Sequence, residues 1–228
     1  MSHPEEQNVN VSTKYYDAIS TMYEHAWSEF GDDPRSQFQP KARHDLQFRH
    51  WLLDLDFQSV LDFGCGLSLL RRWLNSNGRE TVQYTGADIT RPFIDHCRER
   101  YPADTFLHIR DFDEVQTAAD VVVVAGTFNV IPDGVSRDEH REHVFSAYEH
   151  LLRCANRYLV FDFMHDRVDF QQDGAFHMSH AEVIEFVVTR LSRRFEVLQS
   201  YMPFEAAVRV HCDDGIDFDR VIFQGAAP

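Results

Sequence analysis

The chain lacks the marks of several large protein classes. Its four cysteines, Cys65, Cys97, Cys154 and Cys212, lie far apart and form no C-x-x-C pair. That argues against structural zinc and a disulfide framework, and for reduced thiols. No apolar run approaches the roughly 20 residues that span a bilayer. Met1 to Asn10 is polar, with no apolar centre, unlike a signal peptide. These absences predict a cytoplasmic protein. Positive charge is scarce as well: 22 Lys and Arg against 37 Asp and Glu give a formal charge of −15. No basic run is longer than the pairs Arg71-Arg72 and Arg193-Arg194. A field of that sign repels phosphate backbones and anionic membranes, so neither nucleic acid nor membrane is expected as a partner. Internal repeats and low-complexity tracts are absent too.

What is present fits one α/β domain. The 228 residues are 43% hydrophobic and 26% charged, and 19 of them are phenylalanine, which predicts an aromatic-rich core and pocket. Residues 1 to about 12 read as disordered. Tyr15, Tyr16, Ile19, Met22, Tyr23, Ala26, Trp27 and Phe30 then recur at helical spacing, opened by Ser12 or Thr13 and stopped at Gly31. A second helix covers about 41–55. Strands are expected at 60–63, 84–89, 105–109, 121–125, 158–163, 195–201 and 206–211, with 221–223 able to add an edge. Helices are expected at 67–74, 91–101, 136–154 and 179–193. Alternating helices and continuously apolar strands predict a mostly parallel sheet covered on both faces. The short link between the last two strands predicts an antiparallel hairpin at one end.

Residues 60–68, Val-Leu-Asp-Phe-Gly-Cys-Gly-Leu-Ser, carry the sharpest signal. Val60, Leu61 and Phe63 form a strand, Gly64 and Gly66 break it, and apolar residues resume at helical spacing. A strand entering a helix through a glycine turn brings backbone N–H groups close to a ligand. Asp62 would repel a polyphosphate and suits an ammonium group or hydroxyls. Asp88 ends the next strand 24 residues after Gly64, where a carboxylate can take both hydroxyls of a ribose; helix capping is its other reading. A nicotinamide dehydrogenase would show G-x-G-x-x-G, but position 69 is Leu69.

The D-x-G-C-G segment resembles motif I of the class I S-adenosylmethionine (SAM)-dependent methyltransferases. The resemblance implies a Rossmann-like sheet of seven strands under an N-terminal helical lid, residues 1–55 over a SAM-binding part at 56–228. It implies SAM as co-substrate, without metal, held at Asp62, Gly64, Cys65, Gly66, Asp88 and Ile89. Asp111 would contact the adenine amino group while Phe112 packs on the ring. Ser68 stands where the motif usually has a third glycine; its hydroxyl could bond the ligand carboxylate. Gly126-Thr127-Phe128-Asn129 is similar to the G-x-F-N segment of a group of small class I enzymes. Tyr15-Tyr16-Asp17 and Gly31 to Arg35 look like that group's lid region.

Phe128 at the end of strand four would face the sulfonium, a cation–π contact worth roughly 0.5–2 kcal/mol, unless it is core. Asn129 could orient a nucleophile. Arg49 could pair with the SAM carboxylate or stay solvated. Asp162 and His165 are candidate general bases, with His177 and His180 nearby in sequence. Tyr16 belongs to an aromatic stripe that is either docking surface or substrate wall. Three functions remain open: methyl transfer to a small metabolite; cyclisation of SAM itself by its amine, giving azetidine-2-carboxylate and methylthioadenosine; and non-catalytic SAM binding. The expected assembly is a monomer or homodimer.

Overall fold

The computed structural model describes residues 4–37 and 41–212. Helix α1 (Pro4–Phe30) opens the chain and a 3-10 turn (Pro34–Gln37) leads to α2 (Lys41–Leu52). There follow β1 (Ser59–Phe63), α3 (Leu69–Ser76), β2 (Gln83–Asp88), α4 (Arg91–Arg100), β3 (Thr105–His108), β4 (Ala119–Val124), α5 (Arg137–Arg153) and β5 (Ala155–His165). The last elements are β6 (His177–Met178), α6 (His180–Phe186), β7 (Phe195–Leu198) and β8 (Glu205–His211).

The sheet runs β3-β2-β1-β4-β5-β8-β7. The first five strands of that order pair parallel, and β8 joins β5 and β7 antiparallel. This is the expected α/β architecture with its terminal hairpin. Alternate strand residues feed two apolar layers. Leu61, Phe63, Val122, Val124, Leu159 and Phe161 meet α5 and α6 on one face. Val60, Val121, Val123 and Val160 meet Trp51, Leu52, Leu70, Trp73 and Ile94 on the other. Both faces are covered, so strands such as β4 are apolar at every position from Val121 to Val124.

The structure departs from the sequence expectations in several places; α2 ends at Leu52 rather than 55, and β5 extends beyond 158–163 at both ends. α1 begins at Pro4, about eight residues before the expected cap, because nothing between Pro4 and Gly31 breaks a helix. An eighth strand, the two-residue β6, adds to β5 beside the main path. The last helix stops short of Arg193: α6 passes into a π-helical turn (Val187–Leu191) and Ser192 is extended. Strand β7 ends at Leu198 rather than Tyr201. The expected strand at 221–223 lies outside the described residues. Ser136 and Ser179 each cap a helix reciprocally with the glutamate three residues on, Glu139 and Glu182.

Candidate active site

The carboxyl ends of the parallel strands converge on one cleft. Beyond β1 the backbone turns left-handed at Gly64 (φ 72°) and Gly66 (φ 50°). The N–H groups of Gly64 and Cys65 both donate to the Ala87 carbonyl, at 2.8 and 3.1 Å. The left-handed backbone favours glycine at both positions, and space is tight beside each. A Cβ on Gly64 would stand 2.3 Å from Thr127 Oγ1, and one on Gly66 would stand 2.4 Å from Gln37 Nε2.

Asp88 at the end of β2 ties this turn down. Its Oδ2 accepts from the Gly66 N–H at 2.8 Å and its Oδ1 from the Thr90 N–H at 2.7 Å. Each oxygen keeps a lone pair for a ligand hydroxyl. Asp62 is buried one strand away and accepts the Tyr84 hydroxyl at 2.5 Å. Burial pushes the Asp62 carboxyl up to about 7; the Tyr84 hydroxyl opposes the shift and the Asp88 charge adds to it. Burial also raises Asp88. Two carboxylates this dry favour a cation or hydroxyl-rich ligand beside them.

Aromatic and amphipathic side chains close the cleft. Tyr15, Tyr16, Ile19 and Tyr23 reach over it from α1, Gln37, His44 and Phe48 from the segment before β1, and Phe93 and Phe128 from the far side. A second, open groove of about 500 Å³ adjoins it between α1 and the ends of β2 and β3, and Tyr16, Ile89 and Ile109 line both. The Tyr16 hydroxyl is 2.9 Å from His143 Nε2 on α5. Tyr15 stacks on His140 and lies 4.1 Å, centroid to centroid, from the His143 ring. Burial lowers both of these histidines to about 4, so they are neutral near pH 7.

Residues 61–157 match the family model described as a methyltransferase domain. The solved structures agree. Magnesium protoporphyrin IX methyltransferase from Synechocystis PCC 6803, with bound SAM, superposes with a TM-score of 0.60 at 15% identity, covering 88% of this chain and 96% of that one. The N-methyltransferase NodS from Bradyrhizobium japonicum WM9, in complex with S-adenosylhomocysteine, gives 0.56 at 16% identity, covering 83% and 97%. The plantazolicin methyltransferase BpumL, in complex with a monoazolic desmethylPZN analog and S-adenosylhomocysteine, gives 0.61 at 14% identity, covering 91% and 98%. The chain has the class I SAM-dependent methyltransferase fold. No curated protein matches it in sequence. No described helix of this methyltransferase-fold chain is long and apolar enough to cross a membrane.

Within that fold, Asp62, Gly64, Cys65, Gly66, Asp88, Ile89, Phe128 and Tyr16 come together around the cleft. Asp111 lines the adjoining groove, where its carboxylate accepts the Phe112 N–H at 2.6 Å. Phe112 packs edge-on against His143. Asn129 and Asp162 do not line the cleft themselves; they are joined to each other and, through Asp162, to Gly126 of its wall. Asp162 Oδ1 accepts the Gly126 N–H at 2.7 Å and its Oδ2 accepts from Asn129 Nδ2 at 3.3 Å, which fixes the turn after β4.

Three expectations need correction. Arg49 is exposed and does not line the cleft. It lies five residues, about 140° of helical turn, from the cleft-facing His44. His165 is buried away from the cleft with both nitrogens engaged: Nε2 donates to the Pro203 carbonyl at 2.9 Å and Nδ1 accepts the Arg167 N–H at 3.2 Å. Ser68 does take a left-handed conformation (φ 55°, ψ 48°), as the third glycine of the motif would. Its hydroxyl, however, donates to Cys97 Sγ at 3.1 Å, and Ser68 does not line the cleft.

Sequence reasoning missed Gln37, His44, Thr90 and Thr127. The Gln37 Oε1, Thr90 Oγ1 and both ring nitrogens of His44 are buried without a partner among the described residues, and all three side chains line the cleft. Unpaired buried polar atoms cost about 1–3 kcal/mol each, so the lining is built for a polar ligand, and its donors and acceptors suit the hydroxyl, amine and carboxylate groups that SAM carries. Behind it, Glu205 of β8 is fully buried. Its carboxylate accepts from Arg43 and from Gln47 Nε2 of α2, the latter at 2.5 Å, and from the Tyr201 hydroxyl at 2.9 Å.

Proposed function

We propose that this chain transfers a methyl group from SAM to a small metabolite. The reading is carried by Asp62 and Asp88 near the carboxyl ends of β1 and β2 and Asp111 just beyond β3, which line the aromatic cleft and its adjoining groove. Bound SAM supplies an activated methyl group, so the protein's work is alignment and proton handling. Asp88 takes the ribose hydroxyls, with Thr90 beside it. Asp111 and Phe112 receive the adenine, Asp62 the ammonium group, and the Phe128 ring faces the sulfonium. Asp162 and Asn129 act as positioning residues: Asp162 holds the Gly126 N–H and the Asn129 amide, which fixes the turn that carries Thr127 and Phe128 into the cleft.

Residues 1–55 serve as a lid. The cleft under α1 holds about 90 Å³, against ~300–1,000 Å³ for ordinary ligand sites, so α1 shifts to admit the nucleoside. An acidic chain with an aromatic roof favours an uncharged or cationic acceptor. Solved relatives of this fold act on a porphyrin and on plantazolicin, which supports an acceptor other than nucleic acid.

The test is to incubate the purified protein with SAM and a panel of small amines, alcohols and thiols, and to analyse the products by mass spectrometry. S-adenosylhomocysteine together with a methylated acceptor is expected, lost in Asp88→Ala. Methylthioadenosine and a four-membered amino acid formed from SAM alone would replace methyl transfer with cyclisation.

A further inference from the structure

Three large apolar side chains are exposed at one end of the sheet: Val130 (37% exposed), Phe170 (77%) and Phe204 (40%). Val130 follows β4, Phe170 follows β5 and Phe204 precedes β8. These strands are neighbours, and β8 runs antiparallel to β5. All three residues therefore stand at the carboxyl ends of the parallel strands, where the cleft opens. A lone exposed apolar residue needs no explanation, but here the backbone that carries them is pinned to the cleft wall. Val130 bridges to Ala175, the Ile131 N–H donates to the Gly174 carbonyl at 2.8 Å, and the Phe176 N–H donates to the Asn129 carbonyl at 2.9 Å. Phe176 lies edge-on against His140 at 4.5 Å, and His140 Nε2 donates to the carbonyl of the cleft residue Phe128 at 3.0 Å. On the β8 side the guanidinium of Arg43, next in sequence to His44 of the cleft, lies over the Phe204 ring at 5.5 Å. The free charge of this rim is negative. Arg137 and Arg167 face Glu182 and Asp166 at 3.6 and 3.9 Å, and Arg43 is taken by Glu205. Asp133, Asp169 and Asp173 are exposed and form no ion pair among the described residues.

We propose that Val130, Phe170 and Phe204 form a rim on which the methyl acceptor lands, and that the acceptor is an amine carried on a flat apolar body. This rests on the methyl-transfer reading above. The body, too large for a cleft of about 90 Å³, rests on the rim while the nitrogen reaches past Phe128. Aromatic faces and unpaired carboxylates both attract an ammonium group, and both disfavour an anionic acceptor. At the methyl group the arriving ammonium gives one proton to water. Its freed lone pair forms the N–C bond as the C–S electron pair returns to sulfur, leaving S-adenosylhomocysteine and an N-methyl ammonium.

The test separates body from charge with three probes. 1-Naphthylmethylamine, methylamine and 1-naphthylacetate are titrated calorimetrically into the full chain saturated with S-adenosylhomocysteine, as wild type, Phe170→Ser and Phe204→Ser. In the wild type 1-naphthylmethylamine should bind about tenfold or more tighter than methylamine, from the apolar area it buries. It should bind about threefold or more tighter than 1-naphthylacetate, a preference that shrinks as salt is raised. Each variant should weaken 1-naphthylmethylamine about threefold or more while S-adenosylhomocysteine binds as before. Equal affinity for 1-naphthylmethylamine and methylamine, or an affinity unchanged in both variants, would overturn the rim. Equal affinity for 1-naphthylacetate would overturn the amine class. If S-adenosylhomocysteine itself does not bind the wild-type chain, the methyl-transfer reading fails, a result distinct from loss of the rim alone.

Discussion

Asp62 should make ligand binding depend on pH in a calculable way. Its carboxyl titrates near 7 in the protein because burial penalises the charged form. Facing a ligand ammonium group requires the carboxylate, so binding must expel the proton wherever Asp62 is protonated. With a pKa of about 7, roughly a tenth of the molecules are ionised at pH 6 and nine tenths at pH 8. S-adenosylhomocysteine affinity should therefore rise about tenfold across that interval, with about half a proton released at pH 7. Calorimetry in two buffers of different ionisation heat, at pH 6, 7 and 8, reads both quantities. Asp62→Asn should abolish the slope and bind weakly throughout. The unliganded protein should behave oppositely. A raised carboxyl pKa means the folded chain holds a proton that the unfolded chain releases near pH 4. Stability is therefore lost as pH rises from about 4 to 7, and Asp62→Asn should remove that loss. An affinity independent of pH, or a slope that survives in Asp62→Asn, would refute the reasoning.

Other substitutions test the frame around the cleft. Ser68→Gly should be neutral or stabilising by up to about 1 kcal/mol in urea unfolding, with ligand affinity unchanged, because Ser68 sits at φ 55° and its hydroxyl faces Cys97. Gly64→Ala should abolish S-adenosylhomocysteine binding, since its Cβ would meet Thr127 Oγ1 at 2.3 Å; Gly64→Ala with Thr127→Gly should recover part of it. Asp162→Ala strands the Gly126 N–H; the expected cost is about 1–3 kcal/mol, with faster amide exchange at Gly126. Phe161→Ala removes a fully buried ring stacked 4.0 Å from Tyr148, and should cost about 3–5 kcal/mol in denaturant unfolding.

What the sequence made legible was what local backbone chemistry dictates. The strand–glycine–helix unit at 60–74 and Asp88 follow from φ preferences, apolar runs and spacing, and the structure places them side by side. The alternation of apolar strands with helices likewise gave a sheet covered on both faces. What stayed hidden depends on contacts between distant segments. His44 reads as one of 13 histidines until α2 is seen to lie over the cleft. That placement is held by Glu205, 162 residues from Arg43. The Ser68 hydroxyl could not be aimed from sequence, because its direction follows from a left-handed backbone and the position of Cys97 on α4. His165 looked like a base because it follows a strand end; a carbonyl of the 199–204 loop and the backbone after it occupy both its nitrogens.

The Glu205 anchor also bears on how the chain comes off the ribosome. Arg43 and Gln47 emerge early, but the carboxylate that fixes them lies 162 and 158 residues further on. At roughly 5–20 residues per second, α2 waits about 8–30 seconds for its partner. Until β8 inserts between β5 and β7, the nascent chain has its glycine turn but no settled wall to face it. The cleft is therefore completed only once β8, the last of the described strands, has been made, and a growing polypeptide lacks a finished site until its sheet is closed.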